Sequence, residues 1–301
     1  MKRAFAALAA PWIVWAGAAF AQVDEPPPVA LSGTLLHART TGVVTIAHRE
    51  SSVPFSYLST RGEPIGYSIE LCRKVVDAMQ EAVGRELAIK WLPVTSGNRI
   101  DAIEAGRADL ECGSTTSNLE RARRVAFSPT MFVSGTKLMV KRGSPVKSFR
   151  DLEAKTVVVT SGTTNEQAMR DLARKFRIGM KIVVARDHAD SFEQVAAGAA
   201  DAFATDDVLL YGLIASRGAR DKFDVVGEFL SYDPYGVMYR KGDAPFARIV
   251  TETFQEMAGD GEIERQYKRW FLRRLPSGTS IDLPMSPQLE TLLRAMASRP
   301  E

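Results

Sequence analysis

Two cysteines in 301 residues, three histidines and no run of basic residues are the scarcities that first bound this chain. Two cysteines cannot build a disulfide framework or a Cys-rich zinc site. His37, His48 and His188 are scattered without ligand spacing. Lys+Arg (39) and Asp+Glu (36) nearly balance, which argues against a dedicated nucleic-acid binder. The sequence has no G-x-S-x-G, H-E-x-x-H, G-x-x-x-x-G-K-[ST], C-x-x-C or G-x-G-x-x-G element. Neither a metal site nor a nucleophile triad is expected, and no cofactor. Hydrophobic (45%) and charged (25%) content are those of an ordinary globular protein, which excludes wholesale disorder. The length suits two compact domains or one large one.

Residues 1–21, MKRAFAALAAPWIVWAGAAFA, read as a cleaved secretory signal peptide: a basic start, an apolar stretch and a small-x-small end at Ala19-Phe20-Ala21. A membrane anchor is the alternative, but the stretch falls short of the ~20 apolar residues that span a bilayer. Removing Lys2 and Arg3 leaves 37 positive against 36 negative groups, a net charge of +1. No later segment offers a span, so a soluble mature chain is expected. Residues 22–40 contain three consecutive prolines, Pro26 to Pro28, and read as a flexible leader. Residues 276–301 form a Pro/Ser-rich tail that wraps or trails from the body. Export permits a Cys72–Cys112 disulfide; two buried free thiols fit the apolar periodicity equally well.

The body alternates strands and helices. Val43–Ala47, Leu87–Leu92, Leu110–Gly113, Thr156–Thr160, Lys181–Val184 and Ala202–Ala204 read as strands. Ile69, Cys72, Val76, Met79 and Val83 recur at helical spacing, with Ser68 expected to cap and Gly84 to stop. Shorter helices are expected around Ile100 and Ile103, over Asn165–Lys175 and over Phe192–Ala197. This alternation predicts an α/β fold with parallel sheets that bind ligand at the carboxyl ends of their strands. Ala105-Gly106-Arg107-Ala108-Asp109 returns 92 residues later as Ala197-Gly198-Ala199-Ala200-Asp201. Thr95-Ser96-Gly97-Asn98 is likewise echoed by Thr160-Ser161-Gly162-Thr163. The repeat suggests two similar lobes facing each other across a cleft, with chance as the alternative.

Ser114-Thr115-Thr116 and Ser161-Gly162-Thr163-Thr164 each follow a strand and lead toward a helix. Such turns suit a carboxylate, although most are simple N-caps. Further motifs run through the chain: His48-Arg49-Glu50-Ser51-Ser52, Gly66-Tyr67-Ser68, Thr95-Ser96-Gly97-Asn98-Arg99, Glu120-Arg121, Asp187-His188-Ala189-Asp190-Ser191-Phe192 and Asp206-Asp207. Together these stretches, from about residue 42 to 275, resemble the periplasmic solute-binding proteins of polar amino-acid ABC importers, in their glutamate/aspartate-binding branch. The resemblance implies a type II two-lobed fold with parallel-rich sheets and a ligand cleft between lobes. Lobe 1 would comprise residues 41–133 plus 236–275 and lobe 2 residues 134–235, with crossovers near Phe132–Gly135 and Tyr232–Gly236.

It also implies a ligand set. Arg121 would grip the ligand α-carboxylate with Ser114 and Thr116, and Thr164 would add a donor from the other lobe. Asp206 would receive the α-ammonium, and Arg49, Ser96, Arg99 and His188 would surround the distal carboxylate. Three arginines against Asp206 make that set +2, matched to a dianionic, monocationic amino acid. Val237 stands where relatives carry cysteine, which leaves Cys112 without that partner. Phe55, Tyr57 and Tyr67 are aromatic walls of the cleft or core residues. The implied partners are L-glutamate or L-aspartate and an inner-membrane ABC permease with its ATPase, the protein itself a monomer in the periplasm. A cyclohexadienyl-dehydratase-like enzyme and a ligand-binding sensor are the alternative readings.

Overall fold

A computed structural model describes residues 31–298. The expected signal peptide and the proline run of the leader lie outside these described residues. Two five-stranded sheets dominate, and they share one pattern. In the first, Ala88–Pro93, Val43–His48 and Leu110–Glu111 run parallel, and Met238–Arg240 and Val125–Phe127 complete the sheet, Met238–Arg240 antiparallel to both of its neighbours. In the second, Lys181–Ala185, Thr156–Thr160 and Ala202–Asp206 run parallel, followed by antiparallel Thr136–Lys141 and Phe223–Val226. Apolar clusters cover both faces of each sheet, as parallel strands require. The chain leaves the first sheet through Phe132–Ser134 and returns through Asp233–Tyr235, which pair as an antiparallel ribbon.

The sequence repeat has a physical counterpart. Asp109 Oδ2 accepts the Thr45 N–H at 2.8 Å, and Asp201 Oδ2 accepts the Thr156 N–H at 2.7 Å. Each aspartate so ties a helix-to-strand turn to the neighbouring strand, one in each sheet. The echoed loops are not merely similar but touch. A Cβ on Gly162 would stand 2.7 Å from the Cα of Gly97, so only glycine permits this approach.

Several expectations need correction. The long helix spans Tyr67–Val83 and ends at left-handed Gly84, but its N-cap is Gly66. Ser68 lies inside the helix because its hydroxyl has a better partner, donating to the Gly113 carbonyl at 2.7 Å. Residues 22–40 are not all leader: Gly33–Thr41 is a helix whose Leu35 and Ala38 pack into the first core. The Thr34 N–H donates to Asp243 Oδ2 there at 2.7 Å. The tail wraps rather than trails. Leu283 bonds the Phe271 carbonyl at 3.1 Å, and helix Pro287–Ala297 buries Leu289 and Leu293. Phe55 and Tyr67 are fully buried core residues, Phe55 meeting Phe132, Tyr235 and Phe271 edge to face and Tyr67 meeting Phe55 and Phe271 likewise, where the ribbon crosses, and Tyr57 packs edge-on to Trp270. Cys72 and Cys112 form a disulfide with a Cα–Cα distance of 6.3 Å.

Helix Asp207–Ser216 is apolar on nearly every side and follows the second sheet, yet its Val208 and Leu209 belong to the first core. Gly212 makes that approach possible, since a Cβ there would collide with the Val53 carbonyl. Gly212→Ala is therefore expected to cost about 1–3 kcal/mol, the range for overpacking. The readout is a melting temperature several degrees lower; an unchanged melt would mean that the helix shifts freely.

Candidate functional site

The candidate residues sit where strands end. Arg49 follows Val43–His48, and its N–H is held by Ser56 Oγ at 2.9 Å. Thr95 to Arg99 form a tight turn in which Asn98 Oδ1 accepts the Thr95 N–H, delivering Arg99 as the first residue of its helix. Ser114–Thr116 follow Leu110–Glu111, and Thr115 donates to Glu111 Oε2 at 2.8 Å. This loop also pairs with the crossing ribbon through Ser117 N–H to Pro234 O and Gly236 N–H to Thr115 O. Across from it, Thr163 caps and Thr164 opens helix Thr164–Phe176. Asp187 caps and His188 opens helix His188–Ala196, longer by a turn than the periodicity suggested. Asp206 is the last residue of its strand.

Arg99, Ser114, Thr116, Thr164, His188 and Asp206 line one small cavity, together with Thr163, Asn165 and Leu209. Its volume is about 10 Å³, room for roughly one water. The conformation is closed: Thr116 Oγ1 lies 3.3 Å from Thr164 Oγ1, and Arg121 reaches across to Gly162. A larger, mostly apolar cavity of about 330 Å³ lies behind the ribbon, between Phe132, Phe229, Tyr267 and Leu289. It holds none of the candidate residues, so volume alone is a poor guide here.

Unpartnered polar atoms are concentrated around the small cavity instead. Among the described residues, twelve buried side-chain nitrogen or oxygen atoms lack a hydrogen-bond partner. Six belong to this cluster: Arg49 Nε and Nη1, Arg99 Nε, Ser96 Oγ, Ser114 Oγ and Glu111 Oε1. A buried unpaired group costs about 1–3 kcal/mol, and more if charged. Arg49 and Ser96 are buried beside the cavity without lining it. Arg121 is also set back, donating from Nη1 to the Thr116 carbonyl at 2.9 Å and from Nη2 to the Gly162 carbonyl at 3.2 Å.

The electrostatics point the same way. Burial, then the neighbouring Arg99, pulls Arg49 down to about 9 and Arg121 down to about 10. Burial chiefly lowers Arg99 as well. His188 is held neutral by burial and by the Arg49 and Arg99 cations. Asp206 is pushed up to about 8 by burial and then by Asp233. It accepts from Asn165 Nδ2 at 2.8 Å and from the Tyr235 hydroxyl. The companion aspartate, Asp207, is used locally, accepting from Ser134 at 2.7 Å and from the Val208 N–H.

Sequence reasoning missed Asp233, Glu111, Asn165 and Tyr235. Asp233 Oδ1 accepts from Thr116 at 3.0 Å and from Thr164 at 2.8 Å, so one carboxylate ties a loop of the first sheet to a helix start of the second. Its only signal was an acid placed directly before a proline in a crossover segment. Glu111 is fully buried and faces the arginines. These two carboxylates cancel the +2 expected for the site. Selectivity must then come from where the free donors lie rather than from total charge.

The profile of the bacterial extracellular solute-binding proteins, family 3, matches residues 44–273. The chain belongs to this family. A glutamate/aspartate import solute-binding protein of Salmonella typhimurium is 39% identical over 280 residues, covering 92% of each chain. An L-glutamate/L-aspartate-binding protein of Pseudomonas aeruginosa is 41% identical over 266 residues, covering 87% of this chain and 88% of that one. Among solved structures, an ancestral amino acid-binding protein, a precursor of cyclohexadienyl dehydratase, superposes with a TM-score of 0.68 at 28% identity. It covers 79% of this family member and 99% of the ancestral chain.

Proposed function

We propose that this protein is a periplasmic binding protein that captures L-glutamate or L-aspartate by lobe closure and delivers it to an ABC permease powered by a separate ATPase. The observation that carries this reading is the set of buried, unpartnered donors on Arg49, Ser96 and Arg99 beside the cleft, with Asp206 in its wall. The distal carboxylate would take the donors of Arg49, Ser96, Arg99 and His188. The α-carboxylate would take Ser114, Thr116, Thr164 and Arg121, whose planar fork suits bidentate pairing once it leaves the two carbonyls. Asp206 would take the ammonium. The relatives at 39 and 41% identity are binding proteins, which supports capture without turnover.

Because the closed cavity holds about one water, an amino acid enters only when the lobes part. The hinge would be the ribbon of Phe132–Ser134 and Asp233–Tyr235, with lobe 1 built from residues 41–133 and 236–275 and lobe 2 from 134–235. Contacts from both lobes make the ligand favour closure, since a ligand shifts an equilibrium only by its differential affinity. The protein would act as a monomer, exported by its signal peptide.

Isothermal calorimetry is expected to give affinities for glutamate or aspartate at least roughly tenfold above those for glutamine or asparagine, a gap of ~1.4 kcal/mol. An amide presents half of its distal group as donors, which leaves guanidinium N–H groups unpaired in a dry site. Equal affinity for glutamate and glutamine would refute the reading. Small-angle scattering should also show a compaction on adding glutamate.

A further inference from the structure

The ligand-facing histidine is wired to two hydroxyls that no proposed ligand touches. Thr160 is fully buried at the end of strand Thr156–Thr160, and its Oγ1 stands 2.9 Å from His188 Nδ1. The same oxygen lies 2.8 Å from Ser191 Oγ, which lies 3.0 Å from the Asp187 carbonyl. Each hydroxyl carries one hydrogen, so two proton arrangements fit. In one, Nδ1–H donates to Thr160, Thr160 to Ser191 and Ser191 to the Asp187 carbonyl, leaving a lone pair on Nε2. In the other, Ser191 donates to Thr160 and Thr160 to Nδ1, leaving the hydrogen on Nε2. The Asp187 carbonyl keeps the helical N–H of Ser191 at 3.1 Å in both, so neither strands a backbone group.

The surroundings choose between them. A carboxylate beyond Nε2 can only accept, so it selects the Nε2–H form. The cations facing the ring are Arg49 and Arg99 from the first lobe, and both resist a third positive charge. From the second sheet the ring meets Thr160 and the ring of Phe203, which bring no charge, and Asp206 shares the cavity but is pushed toward its neutral form by burial and Asp233. The acids on its own helix are engaged elsewhere: Asp187 Oδ1 accepts the Asp190 N–H, and both carboxylates pair with Arg186.

We infer that Thr160 and Ser191 are positioning residues that present neutral His188 to the ligand as an Nε2–H donor, so that an acidic amino acid is bound without proton uptake. This rests on the proposed acidic amino-acid site and adds how that site reads a carboxylate.

The test uses the whole mature chain and L-glutamate. Two-bond proton–nitrogen spectra of ¹⁵N-histidine-labelled wild type should show His188 neutral and Nε2-protonated in the complex across pH 6 to 8.5. Loss of the proton from Asp206, raised to about 8 in the empty site, should let glutamate affinity hold or rise with pH over that range and never fall. Uptake of a proton at His188 would instead make it fall up to tenfold per pH unit above the pKa of the free site. Thr160→Val, nearly isosteric, frees the ring and should weaken glutamate binding by roughly 10-fold, as losing the partner that orients a histidine does elsewhere. Thr160→Ser, which keeps the hydroxyl, should restore it. An imidazolium or Nδ1–H ring in the complex overturns the inference, and so does a Val variant that binds like wild type or a Ser variant no better than Val. The spectra are read on wild type, so a misfolded variant does not spare the proposal. A folded wild type that binds no acidic amino acid would instead bring down the proposed function beneath it.

Discussion

Arg99→Ala is expected to weaken glutamate binding by two to three orders of magnitude, the largest single effect in the cleft. Arg99 is buried, lines the cavity and holds Nε without a partner. Removing it would leave the distal carboxylate short of a counter-charge in a dry site. Breaking a buried charge pair by deleting one member costs about 3–5 kcal/mol. The loss for glutamine should be smaller, because its amide needs that cation less, so the discrimination between acid and amide narrows. Arg99→Lys should rescue little, since an ammonium lacks the planar fork. The ligand-free protein should respond in the opposite direction. Burial lowers the Arg99 pKa, so its charge destabilises the empty closed form and its removal should leave the melting temperature unchanged or higher. Calorimetry and thermal shift together separate this from general damage: a variant that melts lower and binds normally would contradict the assignment.

Regular, locally coded features were legible in the sequence, and features coded by distant contacts were not. The apolar stripe of Ile69, Cys72, Val76, Met79 and Val83 with Gly84 after it announces its helix, because period and stop agree. The Ala-Gly-x-Ala-Asp repeat foretold paired lobes because each aspartate does the same job, accepting a strand N–H. The crossing ribbon has only three residues per strand, too few for any period to register. Helix Asp207–Ser216 escaped because a helix buried all round carries no amphipathic signal. Asp233 escaped because its partners, Thr116 and Thr164, lie 117 and 69 residues away in sequence. Six of the nine candidate side chains meet at one cavity, and Arg49, Ser96 and Arg121 stand behind it. Lists of residues cannot express that layering. The aromatic residues near the cleft were ambiguous for the same reason: only packing shows Phe55 and Tyr67 in the core.

Replacing both Cys72 and Cys112 by serine, or reducing the disulfide, is expected to cost about 4 kcal/mol of stability. The bond closes a 40-residue separation, and the chain-entropy estimate for a loop of that size is about 4 kcal/mol. For a chain of this size that corresponds to a melting temperature lower by roughly 10 °C. Binding should suffer far less. Cys112 sits two residues before Ser114, but that segment is held by other bonds: Ser68 to the Gly113 carbonyl at 2.7 Å, and Thr115 to Glu111 at 2.8 Å. Its strand also keeps the Cys112 N–H on the Ala47 carbonyl at 3.0 Å. The expected signature is thus a large drop in the melt with a glutamate affinity within about threefold of wild type, reading 3-fold as ~0.65 kcal/mol. A reductant that leaves the melt unchanged would show that the bond adds nothing to stability. A collapse of affinity in the folded reduced protein would show instead that the disulfide, rather than the hydrogen bonds around Gly113, holds the ligand loop in place.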